Sequence, residues 1–360
     1  MSEHVADLAV PSPDPSPPVA PARVTGHDIA RIAGVSVSAV SLAFNGRPGI
    51  SDATRARVLA VAEELNWRPL RAARSLKGAA NDAVGLVIAR PARTIGVEPF
   101  FAHILSGMQS RLSPEGISLQ LLIVEDTDAE IATYRRWAAE HRVDGLVLLD
   151  LAVDDPRPAV VADLGVPAVM LGGHGDDTPV STVWVDDHAA MRHVLEYLAA
   201  LGHVDVGHVS GVAGFQHTRR RLDAVDEHAA GLGLTVRSIP TDFTDAQGAA
   251  ATRRLLMTRP RPTAIVYDSD VMAVAGLGVA GEMGVRVPRD LSVLSFDDST
   301  LTEMTHPAVT SLARDTYDLG ALTATELLRV IAEPGVVRHV QGALPELVVR
   351  GSTAPPAEVG

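Results

Sequence analysis

Residues 28–45 contain the side chains whose types and spacing best suit a defined chemistry, hydrogen bonding from one face of a helix. Ser38, Ser41 and Asn45 recur at spacings of three and four, so a helix places them on one small polar face. The apolar residues follow the same spacings and predict a face that closes a miniature core: Ile29, Ile32, Val40 and Phe44. Two short helices joined at Gly34 have the layout of a helix-turn-helix, whose second helix enters a groove of DNA.

The ends of the helices that must hold these side chains are marked in the sequence. Thr25 and Asp28 form a capping-box pattern at the start of the first helix, and Ser36 is a good N-cap for the second. Ser51 predicts the start of a third helix. That helix should end shortly before Pro69, because proline disfavours helical geometry in the residue that precedes it.

The distribution of charge separates this head from the rest of the chain. The 360 residues have a formal net charge of −13, which by itself argues against a nucleic-acid partner. Residues 24–78, however, carry eight Arg and Lys side chains against four Asp and Glu. A small basic head on a large acidic body is typical of a protein that contacts phosphates at one end only.

Composition excludes several classes of protein. The chain has no cysteine, which excludes disulfides, thiolate catalysis and Cys-ligated zinc. Residues 1–23 are acidic and rich in proline, so we expect a disordered tail there and not a secretory leader. The sequence contains no apolar run of about 18 residues, the length that is needed to cross a bilayer. The sequence therefore predicts a cytoplasmic protein without a membrane partner.

Changes in composition also predict the domain boundaries. We expect a helix-turn-helix domain over residues 24–69, a hinge over 70–80, a body over 81–350 and a disordered tail over 351–360. The hinge is compatible with a helix but too short to be stable alone in water. It should therefore order only when something binds it.

In the body, short runs rich in β-branched residues alternate with helical patterns. The predicted strands are Val84–Ala89, Leu119–Val124, Gly145–Leu149, Ala168–Leu171, Val206–Ser210, Ala264–Tyr267 and Val293–Phe296. The predicted helices are Phe101–Leu112, Ala129–Glu140, His188–Leu201, Gly248–Met257, Val271–Met283 and Thr316–Ile331. This alternation predicts parallel sheets in two doubly wound α/β lobes, with a ligand bound between them at the carboxyl ends of the strands.

Both parts of the chain resemble the LacI/GalR family of transcription regulators. The matching stretches include D-I-A-R-I-A-G-V-S, N-G-R-P-G-I-S and A-A-R-S-L-K-G in the head, and V-D-G-L-V-L-L, V-P-R-D-L-S-V-L-S-F-D-D and T-S-L-A-R-D in the body. The resemblance covers residues 24–350 and implies an α helix-turn-helix head on an α/β body similar to type I periplasmic binding proteins. It also implies a homodimeric regulator, expected to be a repressor, that binds double-stranded operator DNA. The implied effector is a sugar, sugar acid or sugar phosphate, and no cofactor is expected.

By motif position, the resemblance assigns DNA contacts to the head and the hinge. Val37 and Ser38 would face base edges, and Leu76 would wedge between base pairs in the minor groove. The residues placed for phosphates are Ser36, Ser41, Asn45, Ser51 and Thr54. The remaining implied contacts are Thr25, Leu42 and Ala73. Leu42 stands where most members carry Arg, and leucine cannot make the paired hydrogen bonds by which arginine reads guanine.

In the body, the resemblance implies a set of effector contacts: Phe100, Phe101, Ile104, Arg221, Phe243, Ser269, Asp297 and Arg314. Their chemistry suits a polyol, since Arg221 can donate to hydroxyls, Asp297 can accept from them and Phe243 offers an apolar face. Arg314 stands where polar or aromatic residues are more common. Two cations in one cleft favour an acidic or phosphorylated sugar as one alternative.

Other patterns indicate different chemistry. Gly276-Leu-Gly278-Val-Ala-Gly281 spells G-x-G-x-x-G, but a dinucleotide site needs these glycines directly after a strand, whereas here they fall inside a predicted helix. Asp186–Asp187 is interpreted as a helix cap. Two histidine pairs have spacings of five that do not share a helical face, so no metal site is predicted: His188 with His193, and His203 with His208. Because no Ser–His–Asp set or activated nucleophile is recognisable, the chain is not predicted to be an enzyme.

Overall fold

A computed structural model shows the chain as two compact units that divide at residue 79. The residues that it describes are 24–68, 81–91, 95–96, 98–173 and 178–357. The predicted tail over 1–23 and the predicted hinge over 70–80, with Ala73 and Leu76, lie outside the described residues. Among the helices described, none is long and apolar enough to span a membrane.

The head consists of three short helices around a miniature core. They are α1 (Gly26–Ala33), α2 (Val37–Phe44) and α3 (Asp52–Glu64). Side chains of Thr25, Ser36 and Ser51 cap their N-termini, as the sequence predicts. The capping box is complete, since the Thr25 N–H donates to the Asp28 carboxylate at 3.0 Å.

The sequence prediction is wrong for one core residue of the head. Ile29 and Val40 are buried, but the side chain of Ile32 is 49% exposed. The packed face of α1 is formed by Ile29, Ala30 and Ala33. Since each residue advances a helix by about 100°, Ile32 lies well to one side of that face.

The body alternates strands and helices as predicted. Its strands are β1 (Ala83–Ala89), β2 (Ser118–Val124), β3 (Gly145–Leu148), β4 (Ala168–Leu171), β5 (Ser181–Trp184), β6 (Asp205–Ser210), β7 (Thr235–Pro240), β8 (Ala264–Tyr267), β9 (Ser292–Ser295), β10 (Thr310–Ala313), β11 (His339–Gln341) and β12 (Glu346–Val348). Its helices are α4 (Pro99–Leu112), α5 (Thr127–Ala139), α6 (Arg157–Asp163), α7 (Asp187–Ala200), α8 (Gln216–His228), α9 (Asp245–Leu256), α10 (Asp270–Glu282), α11 (Thr300–Met304) and α12 (Thr316–Ala332). Every predicted strand and helix of the body is present, with ends that differ by at most three residues.

Two six-stranded sheets form the cores of two lobes. The first sheet has the order β11-β5-β4-β3-β1-β2 and is parallel throughout. The second has the order β12-β10-β9-β8-β6-β7 and is parallel except where β12 pairs with β10. The chain passes between the lobes after β5, after β10 and between β11 and β12. These three crossings place the ends of several strands around one cleft.

Residues 351–357 are not the disordered tail that the sequence predicts. Ser352 is completely buried, and its hydroxyl donates to the carbonyl oxygen of Val293 at 2.6 Å. The backbone N–H of Val293 donates to the Ser352 carbonyl at 2.9 Å, and the N–H of Thr310 donates to its hydroxyl at 2.7 Å. The segment thus satisfies backbone groups of the second lobe, a long-range role that local composition does not reveal.

Candidate DNA-binding head and effector cleft

Most of the predicted DNA contacts lie on the outside of the head. Thr25, Ser36, Val37, Ser38, Asn45 and Ser51 are exposed, while Ser41, Leu42 and Thr54 are half-buried. Helix α2 buries Val40 and Ala43 against the core and turns Val37 and Ser38 outward. A surface helix that exposes small polar side chains at its N-terminal end has the form needed to approach a DNA groove.

Hydroxyl groups at two helix N-termini are arranged in pairs. The Ser36 and Ser38 oxygens lie 2.8 Å apart at the start of α2, and those of Ser51 and Thr54 lie 2.9 Å apart at the start of α3. Backbone N–H groups at a helix N-terminus attract anions, and adjacent hydroxyls add further donors. These two ends can therefore receive phosphate oxygens.

Arg55 fixes the loop between α2 and α3, a role that sequence reasoning missed. Its guanidinium donates to the carbonyl oxygens of Leu42 at 3.2 Å, Ala43 at 3.0 Å and Arg47 at 2.8 Å. A cation at the C-terminal end of α2 satisfies carbonyls that have no partner within the helix. The side chain of Leu42 lies against this loop, since a Cβ added to Gly49 would come within 3.3 Å of the Leu42 Cδ1.

Seven of the eight predicted effector contacts line one cavity of the body. Its volume is about 760 Å³, including the part open to solvent. The predicted residues on its wall are Phe100, Phe101, Arg221, Phe243, Ser269, Asp297 and Arg314. The wall also holds polar residues that the sequence did not predict as effector contacts: Arg90, Glu98, Asp150, Asp187, His217 and Asp268. Residues from both lobes contribute, so the cavity is the cleft between them.

Ile104 is the exception, since it is not among the residues that line this cavity. Its side chain is completely buried in the hydrophobic core of the first lobe, with Met108 and Leu327 in the same cluster. Phe101, one turn earlier on α4, is also in this core but still reaches the cleft wall. The half-buried Phe100 packs against it edge-on, with ring centroids 5.4 Å apart.

A buried carboxylate joins the two predicted arginines of the cleft. Asp187 Oδ1 accepts from Arg314 Nη2 at 2.7 Å and from Arg221 Nη2 at 2.9 Å. Burial alone would raise the pKa of Asp187, but Arg314 and Arg221 outweigh it and hold that pKa well below its usual range. The interpretation of Asp186–Asp187 as a helix cap is thus confirmed for Asp186, which accepts from the Ala189 N–H at 3.0 Å, and incomplete for Asp187.

Arg221 is further held by a second buried carboxylate. Its Nη1 lies 3.3 Å from Asp268 Oδ1, and the same oxygen receives His208 Nε2 at 3.1 Å. The Arg221 Cζ lies 4.0 Å from the centroid of the Phe296 ring. These contacts fix the guanidinium before any ligand arrives.

For two other carboxyl groups on the wall, nearby arginines compensate only part of the effect of burial. Burial raises the pKa of Glu98 to about 8, although Arg90 opposes the shift. Burial likewise raises the pKa of Asp297 to about 6, against the nearby Arg314. Burial, reinforced by Arg221, lowers the pKa of His217 to about 4, so its ring is neutral at physiological pH. Groups that ionise reluctantly are suited to exchanging hydrogen bonds with a polar ligand.

The structure also shows where the glycine motif and the histidine pairs of the sequence lie. The motif glycines lie within α10, where a Cβ on Gly276 would collide with the Tyr267 hydroxyl, whereas Gly278 and Gly281 face open space. Close packing therefore explains why position 276 is glycine, but it does not explain the glycines at positions 278 and 281. His203 and His208 are buried and lie within hydrogen-bond distance of Thr263 at 2.8 Å and Ser238 at 3.0 Å. His188 lies 3.1 Å from the Glu227 carboxylate at the surface.

Comparisons with known proteins agree with both parts of the chain. The family of bacterial regulatory proteins called lacI matches residues 25–69, and a periplasmic binding protein-like domain matches residues 195–353. The transcriptional regulator CelR of Thermobifida fusca is 34% identical over 306 residues, which are 83% of this chain and 89% of CelR.

Solved structures are similar over most of the length. A complex of the transcriptional regulator CelR with cellobiose has a TM-score of 0.70 and 31% identity, covering 92% of this chain and 100% of that one. The lac repressor dimer bound to operator and the anti-inducer ONPF has a TM-score of 0.79 and 27% identity, covering 92% and 99%.

The helix-turn-helix head and the cleft of the two-lobed body define a DNA-binding transcription regulator with a ligand-binding body. The chain belongs to the LacI family.

Proposed function

We propose that the protein is a homodimeric, cytoplasmic repressor whose binding to operator DNA is controlled by a neutral sugar in the cleft of the body. The observation that carries the proposal is that seven residues chosen from the sequence line a single cavity between the lobes. Two similar structures support this combination of a sugar effector and operator DNA. They are the complex of CelR with cellobiose and the lac repressor dimer bound to its operator.

The charges of the cleft favour a neutral ligand over an acidic one. Arg221 and Arg314, which suggested a sugar acid or phosphate, share the carboxylate of Asp187. Five carboxyl groups line the cavity against three guanidinium groups. An anionic ligand would therefore find Arg221 and Arg314 already paired with Asp187 and would lie beside further acids.

The two functions are coupled through the segment that joins head and body. The resemblance to LacI-family regulators places Leu76 at the minor groove, and a short helix there would need support from both DNA and the body. A ligand that binds one arrangement of the lobes better than another would change how often that support is available.

Titration of the full-length protein tests the ligand class. Cellobiose and glucose should raise the melting temperature, because a ligand that binds only the folded state stabilises it by mass action. Gluconate and glucose 6-phosphate serve as acidic counterparts of similar size. Stabilisation by the acidic forms alone would overturn the neutral-sugar proposal.

Gel-shift assays on genomic fragments test the DNA function. The wild-type protein should retard a subset of fragments, and Leu76→Ala should retard them less while keeping the same sugar-induced change in melting temperature. A protein that retards no fragment would be a sugar receptor without a DNA function.

A further inference from the structure

Arg90 lies between the two lobes, although no sequence pattern singles it out. It follows β1 in the first lobe and is only 6% exposed. Its Nε donates to Asp150 Oδ2 in the same lobe at 2.8 Å. Its Cζ lies 4.7 Å from the centroid of the Phe215 ring and 4.9 Å from that of Phe243, both in the second lobe. Arg90 therefore connects the lobes by stacking between two aromatic rings.

The partners of Arg90 are held in unusual backbone conformations. Phe243 has a φ of +69° and Asp150 a φ of +51°, a region that side-chain-bearing residues rarely adopt. The Phe243 ring lies so close to Gly211 that any Cβ there would collide with it. Such conformations persist where the surrounding structure imposes them, and they are concentrated at binding sites.

Arg90 and Glu98 both line the cleft, and each contains a buried polar atom without a hydrogen-bond partner in the described part of the chain. These atoms are Arg90 Nη1 and Glu98 Oε1. They do not pair with each other, although they are near enough for the Arg90 charge to lower the pKa of Glu98. A buried donor and acceptor left without partners are costly, and a ligand that supplies both partners removes that cost.

Neighbouring hydroxyl groups of a sugar match this requirement. One hydroxyl can accept from a guanidinium N–H while the next donates to a carboxyl oxygen. A sugar acid would instead bring a further carboxylate beside Asp150 and Asp297 on the same wall. The donor and acceptor thus discriminate ligands by the pattern of their hydroxyls.

We propose that Arg90 and Glu98 form a specificity subsite that binds two neighbouring hydroxyl groups of the effector, and that Arg90 transmits this binding to the closure of the lobes. The inference rests on the proposed function only in taking the effector to be a sugar. The contact of Arg90 with the second lobe is independent of the identity of the ligand.

Two backbone hydrogen bonds that cross the cleft report closure directly. The Val153 N–H donates to the Gly214 carbonyl at 2.8 Å, and the Gln216 N–H donates to the Leu151 carbonyl at 2.8 Å. Neither involves Arg90. Their hydrogen exchange measures how often the lobes separate, in the absence as well as in the presence of a ligand.

Hydrogen exchange of the full-length protein without ligand tests the first half of the proposal. Arg90→Ala should make the amides of Val153 and Gln216 exchange about tenfold faster, since it removes a desolvated stack on two rings. The matched control is Arg237→Ala, which removes a 3.1 Å ion pair to Asp205 within the second lobe and should leave both amides unchanged. Equal exchange in the wild type and Arg90→Ala would overturn the proposal.

The same amides, followed with cellobiose or glucose, test the specificity half. Either sugar should slow their exchange in the wild type, and Glu98→Ala should need about tenfold more sugar for the same effect. The exposed Glu115 supplies the control variant Glu115→Ala, which should respond as the wild type does. A wild-type response in Glu98→Ala would overturn the subsite. If neither sugar affects the wild type, the sugar assignment fails, whereas faster exchange in Arg90→Ala would still support the contact between lobes.

Discussion

At the scale of single residues, Asp187 is a buried charge of the cleft that joins distant parts of the chain. It begins α7, just after the first crossing between lobes, and it pairs with Arg314 on the second crossing and with Arg221 on α8. Three separate segments therefore meet at one carboxylate. Removing that carboxylate would leave two guanidinium groups buried without their shared partner.

Asp187→Asn should lower the free energy of unfolding of the body by about 3 kcal/mol at pH 7, the range found when one partner of a buried ion pair is removed. Urea denaturation of the full-length protein measures this difference. The control is Asp290→Asn, because Asp290 pairs with Arg286 at the surface and its loss should change stability little. Similar midpoints for Asp187→Asn and the wild type would show that the pairing is not stabilising.

The difference in stability between the wild type and Asp187→Asn should depend on pH in a definite direction. Since the pKa of Asp187 is held well below its usual range, its carboxylate stabilises the fold fully above the unfolded pKa of about 3.9. That contribution is lost as the pH falls toward the lower folded pKa. The stability difference between wild type and Asp187→Asn should therefore be constant from pH 7 to pH 5 and shrink below pH 4. A difference that grows on acidification would contradict this assignment.

Leu42 gives a prediction about base preference. Its side chain is half-buried beside Gly49 and stands where many LacI-family regulators carry arginine. Leu42→Arg should shift selected operator sites toward guanine at one base pair of each half-site, with about 1–3 kcal/mol of discrimination. Selection of binding sites from a random pool measures the shift, and an unchanged consensus would show that this side chain does not reach the bases.

At the scale of elements, the packing of α12 against α4 depends on two glycines. A Cβ on Gly107 would collide with the carbonyl oxygen of Tyr317, and one on Gly320 with that of Ile104. The helices therefore approach at backbone distance. Through this contact the chain packs against the first lobe again after β10. The contact therefore helps to fix the wall of the cleft to which α4 and α12 contribute.

Gly320→Ala should destabilise the body by about 2 kcal/mol, because the added methyl must displace backbone atoms. Gly278→Ala is the control, since Gly278 lies within α10 with open space around it. That change should stabilise by about 0.5–1 kcal/mol, because alanine favours helix over glycine. Thermal unfolding distinguishes the two, and a stabilising Gly320→Ala would refute the close approach.

The elements also show where sequence reasoning succeeds and where it stops. Hydrophobic periodicity and N-caps, such as Ser51, located the helices of the head, since these signals are local. The short strands β11 and β12 pair with strands far away in the chain and leave no such signal. Motif positions found Arg221 and Asp297 in the cleft, whereas Arg90 and Asp268 act through partners that only the folded chain brings near.

At the scale of the whole molecule, charge is divided between the two functions. Residues 24–78 carry eight Arg and Lys against four Asp and Glu, while the complete chain has a net charge of −13. DNA binding should therefore depend on counterions that the head releases from phosphates, whereas binding of the proposed sugar would use polar groups buried within the cleft.

Raising the salt concentration from 50 mM to 200 mM should thus weaken operator binding by about 10³-fold, the loss expected if the proposed dimer contacts several phosphates with each head. The affinity for a bound neutral sugar should hardly change over the same range, because buried pairs such as Asp187 with Arg221 are screened little. Fluorescence anisotropy of labelled operator and calorimetric titration of the sugar measure the two affinities in one buffer series. A parallel loss of both would mean that the acidic body, and not the head alone, takes part in binding DNA.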